Sequence, residues 1–503
     1  MSLLTRPAAP LAAPLAAPRT PTAVRGKLVP LALIVLVCMA AYALFIPRIM
    51  AALDPLTGDE PFYVMTALSL AHDGDLDETN NYAQGDYRAF YPPDPLPANW
   101  QGWPAFPREL PPHAAHSVRP GLYSKHGLGV AILILVPYLL GGRLVTILFL
   151  NLVAALVAAN IVLLARRYGH GWLGAVALGV PLVFADPLMS YAYLIFPEIF
   201  AALAIIYAYR RGREARNTAP QWLGVGLALA ILPWLHARFI PAVLGLVAIL
   251  IAGWLRESSW RRRLAALLPP LCSAVALPTY YLAIYGKPFP STEDHAGFNT
   301  PPEIVNAAFG LFLDEQWGLL IHAPIYLLTA VGFGVLWRTR RGDLLAILAV
   351  ALPYLALVAF YRVWWGEWGP AARYLAPLAP LAIAPLAAWA GQVRRAVAVV
   401  TVGLLALPGL AIMAGFLAAP QLMYNQPDGF NALFTSWAAS RGEVWPKFFP
   451  SFQPYAPSPI LVRQLWSLWL ALLAALLCGL GLLLPPRGDR AKESTAARSI
   501  GEP

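Results

Sequence analysis

What most limits the fold of this chain is the recurrence, from residue 29 nearly to its end, of apolar runs of roughly 18 to 25 residues, the length that crosses about 30 Å of hydrocarbon. No water reaches a backbone amide inside a bilayer, so such runs are expected as helices whose hydrogen bonds close within each segment. Composition agrees. Only 12% of the 503 residues are charged, where a soluble globular chain carries about a quarter. The expected fold class is an all-α integral membrane protein, with far too many runs for a single anchor. A formal charge of +10 raises the question of nucleic acid, but Lys and Arg lie in short clusters between the apolar runs and read as topology signals. No nucleic-acid partner is expected. Cys38, Cys272 and Cys478 all fall inside apolar runs, without CxxC or Cys/His spacing, so no structural disulfide is expected.

Residues 1–26 are rich in Ala and Pro and read as a disordered cytoplasmic tail. Arg25 and Lys27 mark the inner boundary of a first span at 29–49, which is long for a cleavable signal and lacks a small-residue cleavage site. The membrane domain extends over 27–485, with a polar tail at 486–503. Residues 54–142 form a first extracytoplasmic loop, expected to carry interfacial helices: a helix at 61–71, the acidic stretch HDGDLDETNNY, a Pro- and aromatic-rich run, and a short apolar piece at 127–140. Loops of this size in a compact protein usually have a function.

The piece at 127–140 has about fourteen residues, short for a span. Laying it along the membrane puts Arg166 and Arg167 in the cytoplasm, followed by the clusters at 210–216, 256–263, 338–341 and 394–395. The positive-inside rule then holds at each cluster, and the opposite choice inverts them all. About twelve spans result, at 29–49, 144–165, 172–192, 197–209, 221–235, 239–255, 264–284, 319–336, 344–361, 374–391, 396–417 and 464–484. Both termini are expected in the cytoplasm. No fixed-period repeat relates the two halves, which lowers the expectation of an inverted-repeat transporter.

On this topology the polar residues that interrupt apolar sequence collect on the outer side: Asp59 and Glu60 in TGDEPFY, Lys125 and His126 in YSKHGLG, Glu198 in IFPEIF, His236 and Arg238 in WLHARF, His322 in LLIHAP, and Glu367 and Arg373 in WWGEWGPAARYL. Ionisable residues at the ends of spans are functional candidates, and here acids and bases from separate spans converge on one side. Each also has a plain structural reading. Asp59, Glu60 and Glu198 fit first helical turns, where carboxylates suit the helix dipole, and the histidines fit interfacial positions that satisfy a local hydrogen bond. Arg373 stands out, because an outer cation opposes the usual charge bias and a guanidinium grips phosphate with two parallel hydrogen bonds. Trp100, Trp103, Tyr123, Trp364, Trp365 and Trp368 offer faces for a sugar, or act as interfacial anchors.

The ordered pattern of a first span, then Asp59-Glu60, then SKHGLG closing an outer loop, then a Pro-acid pair at Pro197-Glu198, resembles the GT-C superfamily of polyprenyl-phosphate-dependent glycosyltransferases. Within it the likeness is to the branch of protein O-mannosyltransferases and lipid A aminoarabinose transferases, and it covers residues 29–216 best. The resemblance implies a GT-C polytopic bundle and an inverting transfer of a sugar from a polyprenyl phosphate carrier to an extracytoplasmic glycan, lipid or protein. It makes Asp59 the catalytic carboxylate, deprotonating or orienting the acceptor hydroxyl, with Glu60 in support. Glu198 matches an acid that in relatives helps hold a divalent metal near the first, although the side chain here is one methylene longer if that position is an aspartate. Lys125 or His126 is expected near the donor phosphate, with Arg373, Tyr374 and Arg238 also binding substrate; His126 and Gly127 stand where relatives have two prolines. The implied location is the inner (plasma) membrane, with the active site outside the cytoplasm. Two rivals from other classes stay open: a transporter or flippase of lipid-linked saccharides, and a non-catalytic membrane scaffold.

Overall fold

The computed structural model describes residues 21–91, 109–214, 217–255, 257, 259–289, 297–444 and 447–484. Most of the proposed N-terminal tail, the C-terminal tail, Trp100, Trp103, Arg216 and Arg256 lie outside these residues.

The all-α expectation holds. The chain opens with α1 (Pro21–Ala43) and α2 (Ile46–Ala52), then turns into α3 (Glu60–His72), one residue longer at each end than the helix expected at 61–71. A short α4 (Thr79–Gln84) leads to the one two-stranded pair among the described residues, β1 (Ala114–Ala115) antiparallel to β2 (Tyr123–Ser124). Next comes α5 (Leu128–Arg166), whose 39 residues would measure about 58 Å if straight, nearly twice a bilayer core. It is not straight. Gly141 and Gly142 leave the helical region, so the expected surface piece and the expected span at 144–165 are two limbs of one kinked element.

The chain continues through α6 (Trp172–Val183), α7 (Pro197–Gly212), α8 (Ala219–Leu235), α9 (Ile240–Trp254) and α10 (Trp260–Tyr285). After these follow α11 (Pro301–Leu313), α12 (Leu319–His322), α13 (Leu328–Thr339) and α14 (Arg341–Phe360). The last four are α15 (Ile383–Ala390), α16 (Arg395–Ala418), α17 (Ala432–Ala439) and α18 (Ile460–Leu483). Among the described residues seven segments are long and apolar enough to cross a membrane: 28–52, 128–166, 237–254, 260–285, 341–360, 395–418 and 460–483. Three shorter apolar helices accompany them.

Of the five remaining expected spans, those at 197–209 and 221–235 fall within the continuous but shorter helices α7 and α8, and the other three are interrupted. That at 172–192 stops being helical after Val183, that at 319–336 breaks at Pro324, and that at 374–391 begins as 3-10 turns before α15. Residues 185–197 are nevertheless wholly buried. Irregular backbone at membrane depth is tolerated where protein surrounds it, and Glu198, His322 and Arg373 sit at or beside these interruptions.

Helix α7 is the axis of the fold, buried along most of its length and packed against α5, α8 and α9. Helix α18 is the opposite case, with Leu461, Leu468, Trp469 and Leu476 all exposed, as suits a helix facing lipid. Twelve residues separate Glu198 at the start of α7 from Arg210 near its end, about 18 Å of rise. The basic clusters meet at the Arg210 end: Arg213 donates to Asp343 Oδ1 through Nε (3.0 Å) and NH2 (2.8 Å), Arg167 NH2 to Arg213 O (3.1 Å), and Tyr168 OH to Asp343 Oδ2 (3.2 Å). Arg338 NH1 donates to Leu482 O (2.6 Å), which brings the end of α18 to this side as well. Acids and bases of the candidate site lie at the other end.

Candidate active site

Asp59 occupies the N-cap position of α3 but caps nothing; its carboxylate accepts from Arg373 NH2 instead. Glu198 lies in the first turn of α7, fully buried, and its Oε1 accepts from Arg373 Nε at 3.0 Å and from Arg238 NH2 at 2.5 Å. Four charges thus alternate as Asp59, Arg373, Glu198, Arg238, with side-chain exposures of 24%, 7%, 0% and 10%. The helix-dipole reading of these acids is too weak: a carboxylate that only complements a dipole stays solvated, and Glu198 has no contact with water.

Local backbone explains why the guanidiniums point inward. Arg238 follows the turn that ends α8, where His236 Nδ1 accepts from Arg238 N at 3.1 Å. Arg373 opens a 3-10 turn after a loop in which Glu367 (φ 48°) and Ala372 (φ 53°) adopt the left-handed region that side chains disfavour. Ala372 N donates to Trp317 O (3.0 Å), and Arg373 NH1 closes the loop on Gly366 O (2.9 Å). Trp368 Nε1 donates to Thr57 Oγ1 (2.7 Å), fastening this loop to the Asp59 turn.

Aromatic faces enclose the charges. The Arg373 guanidinium lies 4.5 Å from the Phe196 ring centre, and that of Arg238 lies 4.5 Å from Tyr374, distances that stabilise a partly dry cation. SKHGLG contributes at its histidine. His126 stacks on Phe62 (5.3 Å), and its Nε2 lies 3.3 Å from His113 Nδ1. The glycines after it are required by space: a Cβ on Gly127 would come 2.3 Å from Leu235 O, and one on Gly129 would come 2.7 Å from Trp234 C, so the start of α5 presses on the end of α8 next to His236.

Burial alone would raise the Asp59 carboxyl, but Arg373, His126 and Arg238 outweigh it and hold it well below the usual carboxylate range. Burial opposes the Arg373 cation, and Asp59 with Glu198 more than restores it. Burial pushes His126 down to about 4, against the pull of Asp59, so its ring is neutral near pH 7. Glu60 is separate from the ion cluster. It is buried, its Oε1 accepts from Ile195 N (2.9 Å), and burial raises it to about 6.

The structure therefore joins Asp59, Glu198, Arg238, Arg373 and Tyr374, with His126 alongside. Glu60 lies beside them but ties α3 to the loop before α7. The Lys125 side chain is exposed; only its backbone is engaged, to His113 O at 2.9 Å. His322 belongs to another buried cluster, where Asn431 Nδ2 lies 3.0 Å from its Nε2. Tyr63, His113 and Tyr354 border the site without having been singled out from sequence. Tyr354 had a visible signal, a phenol in the middle of an apolar run.

Three buried polar atoms at the site have no protein partner: Glu198 Oε2, Arg238 Nε and Tyr354 OH. Leaving such atoms bare costs about 1–3 kcal/mol each. A resident divalent metal does not fit these residues. Arg373 already bridges the two carboxylates, and no three His, Cys, Asp or Glu come together among the described residues. The fold and site define an all-α membrane protein with a buried ionic site at one end of its helices. Comparison with profiles of known protein families, with curated proteins and with solved structures returns no match.

Proposed function

We propose that this chain is a membrane glycosyltransferase that moves a sugar from a polyprenyl phosphate carrier to an acceptor on the non-cytoplasmic side, with inversion at the anomeric carbon. The observation that carries this reading is Arg373 shared between Asp59 and Glu198, with Arg238 on the same Glu198 oxygen. In the reaction the acceptor oxygen attacks the anomeric carbon, the bond from that carbon to the phosphate oxygen breaks with its electron pair on the phosphate, and the acceptor proton leaves. Fixed cations in a half-dry site stabilise the departing phosphate. Arg373 and Arg238 supply them.

Asp59 receives or orients the acceptor proton. While Arg373 holds it, Asp59 is a weak base; a donor phosphate competing for that guanidinium frees the carboxylate at the moment a base is needed. Glu198 keeps both arginines in place. The basic clusters at the far end support a cytoplasmic placement of that end and an outer placement of the site.

The test is release of polyprenyl phosphate by purified protein in lipid nanodiscs, offered a panel of polyprenyl phosphate sugars with hydroxylated acceptors. Release that depends on acceptor supports the reading. No release with any donor, together with movement of a fluorescent lipid-linked saccharide across vesicle membranes, replaces it with transport.

A further inference from the structure

A cavity of about 650 Å³ lies between the N-terminal halves of α11 and α18, lined by none of Asp59, Glu198, Arg238 or Arg373. Two cations, Arg362 and Arg463, and one carboxylate, Glu303, face it. The carboxylate is committed to the cap of α11, where Glu303 Oε2 accepts from Thr300 N (2.8 Å) and Thr300 Oγ1 (2.7 Å). Arg463 is braced by the wall, donating Nε to Ser458 O (2.9 Å) and NH1 to Asn306 Oδ1. Among the described residues the Arg362 guanidinium has no side-chain hydrogen bond, and its charge is near enough to Glu303 to favour that carboxylate's ionised form.

The rim is apolar. Val305 and Ile460 are 58% and 65% exposed, and the exposed Leu461, Leu465 and Leu468 continue along α18. Because α18 is a candidate span and its far end meets Arg338 on the basic side, the cavity sits where α18 leaves the membrane on the opposite side. Cations are disfavoured on that side unless something holds them there. Guanidiniums grip a phosphate head group by charge-assisted hydrogen bonds, and the exposed apolar face of α18 offers a surface for its chains.

We propose that this cavity binds the phosphate of an anionic lipid, with Arg362 as the open ligand, Arg463 as the braced one, and the acyl chains along α18. The site is independent of the transfer reaction and stands whether or not the chain moves sugar.

The experiment uses the full chain, delipidated in detergent, with binding read by native mass spectrometry and tryptophan fluorescence. The probes are dioleoyl phosphatidate, dioleoylglycerol and inorganic phosphate. Phosphatidate is expected to bind saturably and at least about tenfold more tightly than dioleoylglycerol, as losing a charge-assisted hydrogen bond implies. Arg362→Ala should weaken it about tenfold with an unchanged thermal midpoint, Arg362→Lys should retain most of it, and Arg373→Lys should not alter it. Equal binding of dioleoylglycerol overturns the phosphate site. Inorganic phosphate displacing the lipid at matching concentration overturns the lipid as its source, and loss on Arg373→Lys but not on Arg362→Ala moves the phosphate out of this cavity.

Discussion

Glu198→Gln is the sharpest perturbation of the ionic cluster. It keeps the side-chain volume and an acceptor oxygen but removes the charge that Arg238 and Arg373 share at 2.5 and 3.0 Å. Each such pair interacts by about 4 kcal/mol at an effective dielectric near 20 and a separation near 4 Å. The loss is offset by no longer burying a carboxylate, a cost of several kcal/mol. Arg373 keeps Asp59 as partner, whereas Arg238, with a side chain only 10% exposed, keeps no carboxylate. Leaving a buried charge uncompensated costs about 3–5 kcal/mol, and the Gln oxygen still accepts from both arginines, so the expected loss is about 3 kcal/mol. SDS-driven unfolding in mixed micelles, followed by tryptophan fluorescence, measures it. Adding Arg238→Met removes the stranded charge, so the double variant should be about 2 kcal/mol more stable than the two single losses predict. A Glu198→Gln variant within about 0.5 kcal/mol of wild type, additive with Arg238→Met, refutes the reasoning.

Several other outcomes are expected. Asp59 is held below its ordinary value, so its contribution is complete above about pH 4 and is lost as pH falls further; the stability difference between wild type and Asp59→Asn should be flat from pH 8 to 5 and shrink below 4. His126, faced by Asp59, His113, Lys125 and Arg373, is pushed down to about 4. Its neutral form therefore adds stability above about pH 6.5 that is lost on acidification, by up to about 1.4 kcal/mol per pH unit, and His126→Gln should flatten the profile of unfolding between pH 6.5 and 4. Gly127→Ala forces α5 away from Leu235 O and should cost about 1–3 kcal/mol, while Gly403→Ala, whose added Cβ meets nothing within 4 Å, should be neutral or slightly stabilising in the same assay. Lys125→Ala should leave donor binding nearly unchanged, since its side chain points outward.

The sequence revealed the segments that obey one-dimensional rules. Run length announced the helices, and charge parity grouped Arg167, Arg210, Arg213 and Arg338, which the structure gathers at one end through Asp343 and the close of α18. Asp59, Glu198, Arg238 and Arg373 were visible because an ion next to an apolar run is conspicuous. Their pairing was not visible, since Arg373 lies 314 residues from Asp59 and 175 from Glu198.

The contacts among residues 314–316, 425–430 and 452 left still less trace. Gln316 reaches Phe430 O (2.8 Å), Asp314 Oδ2 accepts from Phe452 N (2.6 Å), and Asn425 Nδ2 donates to Gln316 O (3.0 Å). These side chains are buried in turns far apart in the chain, where neither a period of 3.6 nor one of 2 exists to be read. Lys125 and His126 show the same limit at close range. The two are neighbours in the bend that follows β2, and only contact with Phe62 and His113 selects the histidine.

The most direct test of the account is single-turnover sugar transfer in nanodiscs with wild type and Asp59→Asn, donor binding being measured on the same samples by native mass spectrometry. The account predicts that the variant binds donor at least as tightly as wild type, because Arg373 is released to the phosphate, yet transfers sugar about 10² to 10⁴ times more slowly, the range for loss of a positioned base. Transfer at the wild-type rate by Asp59→Asn would contradict it and remove Asp59 from the chemistry.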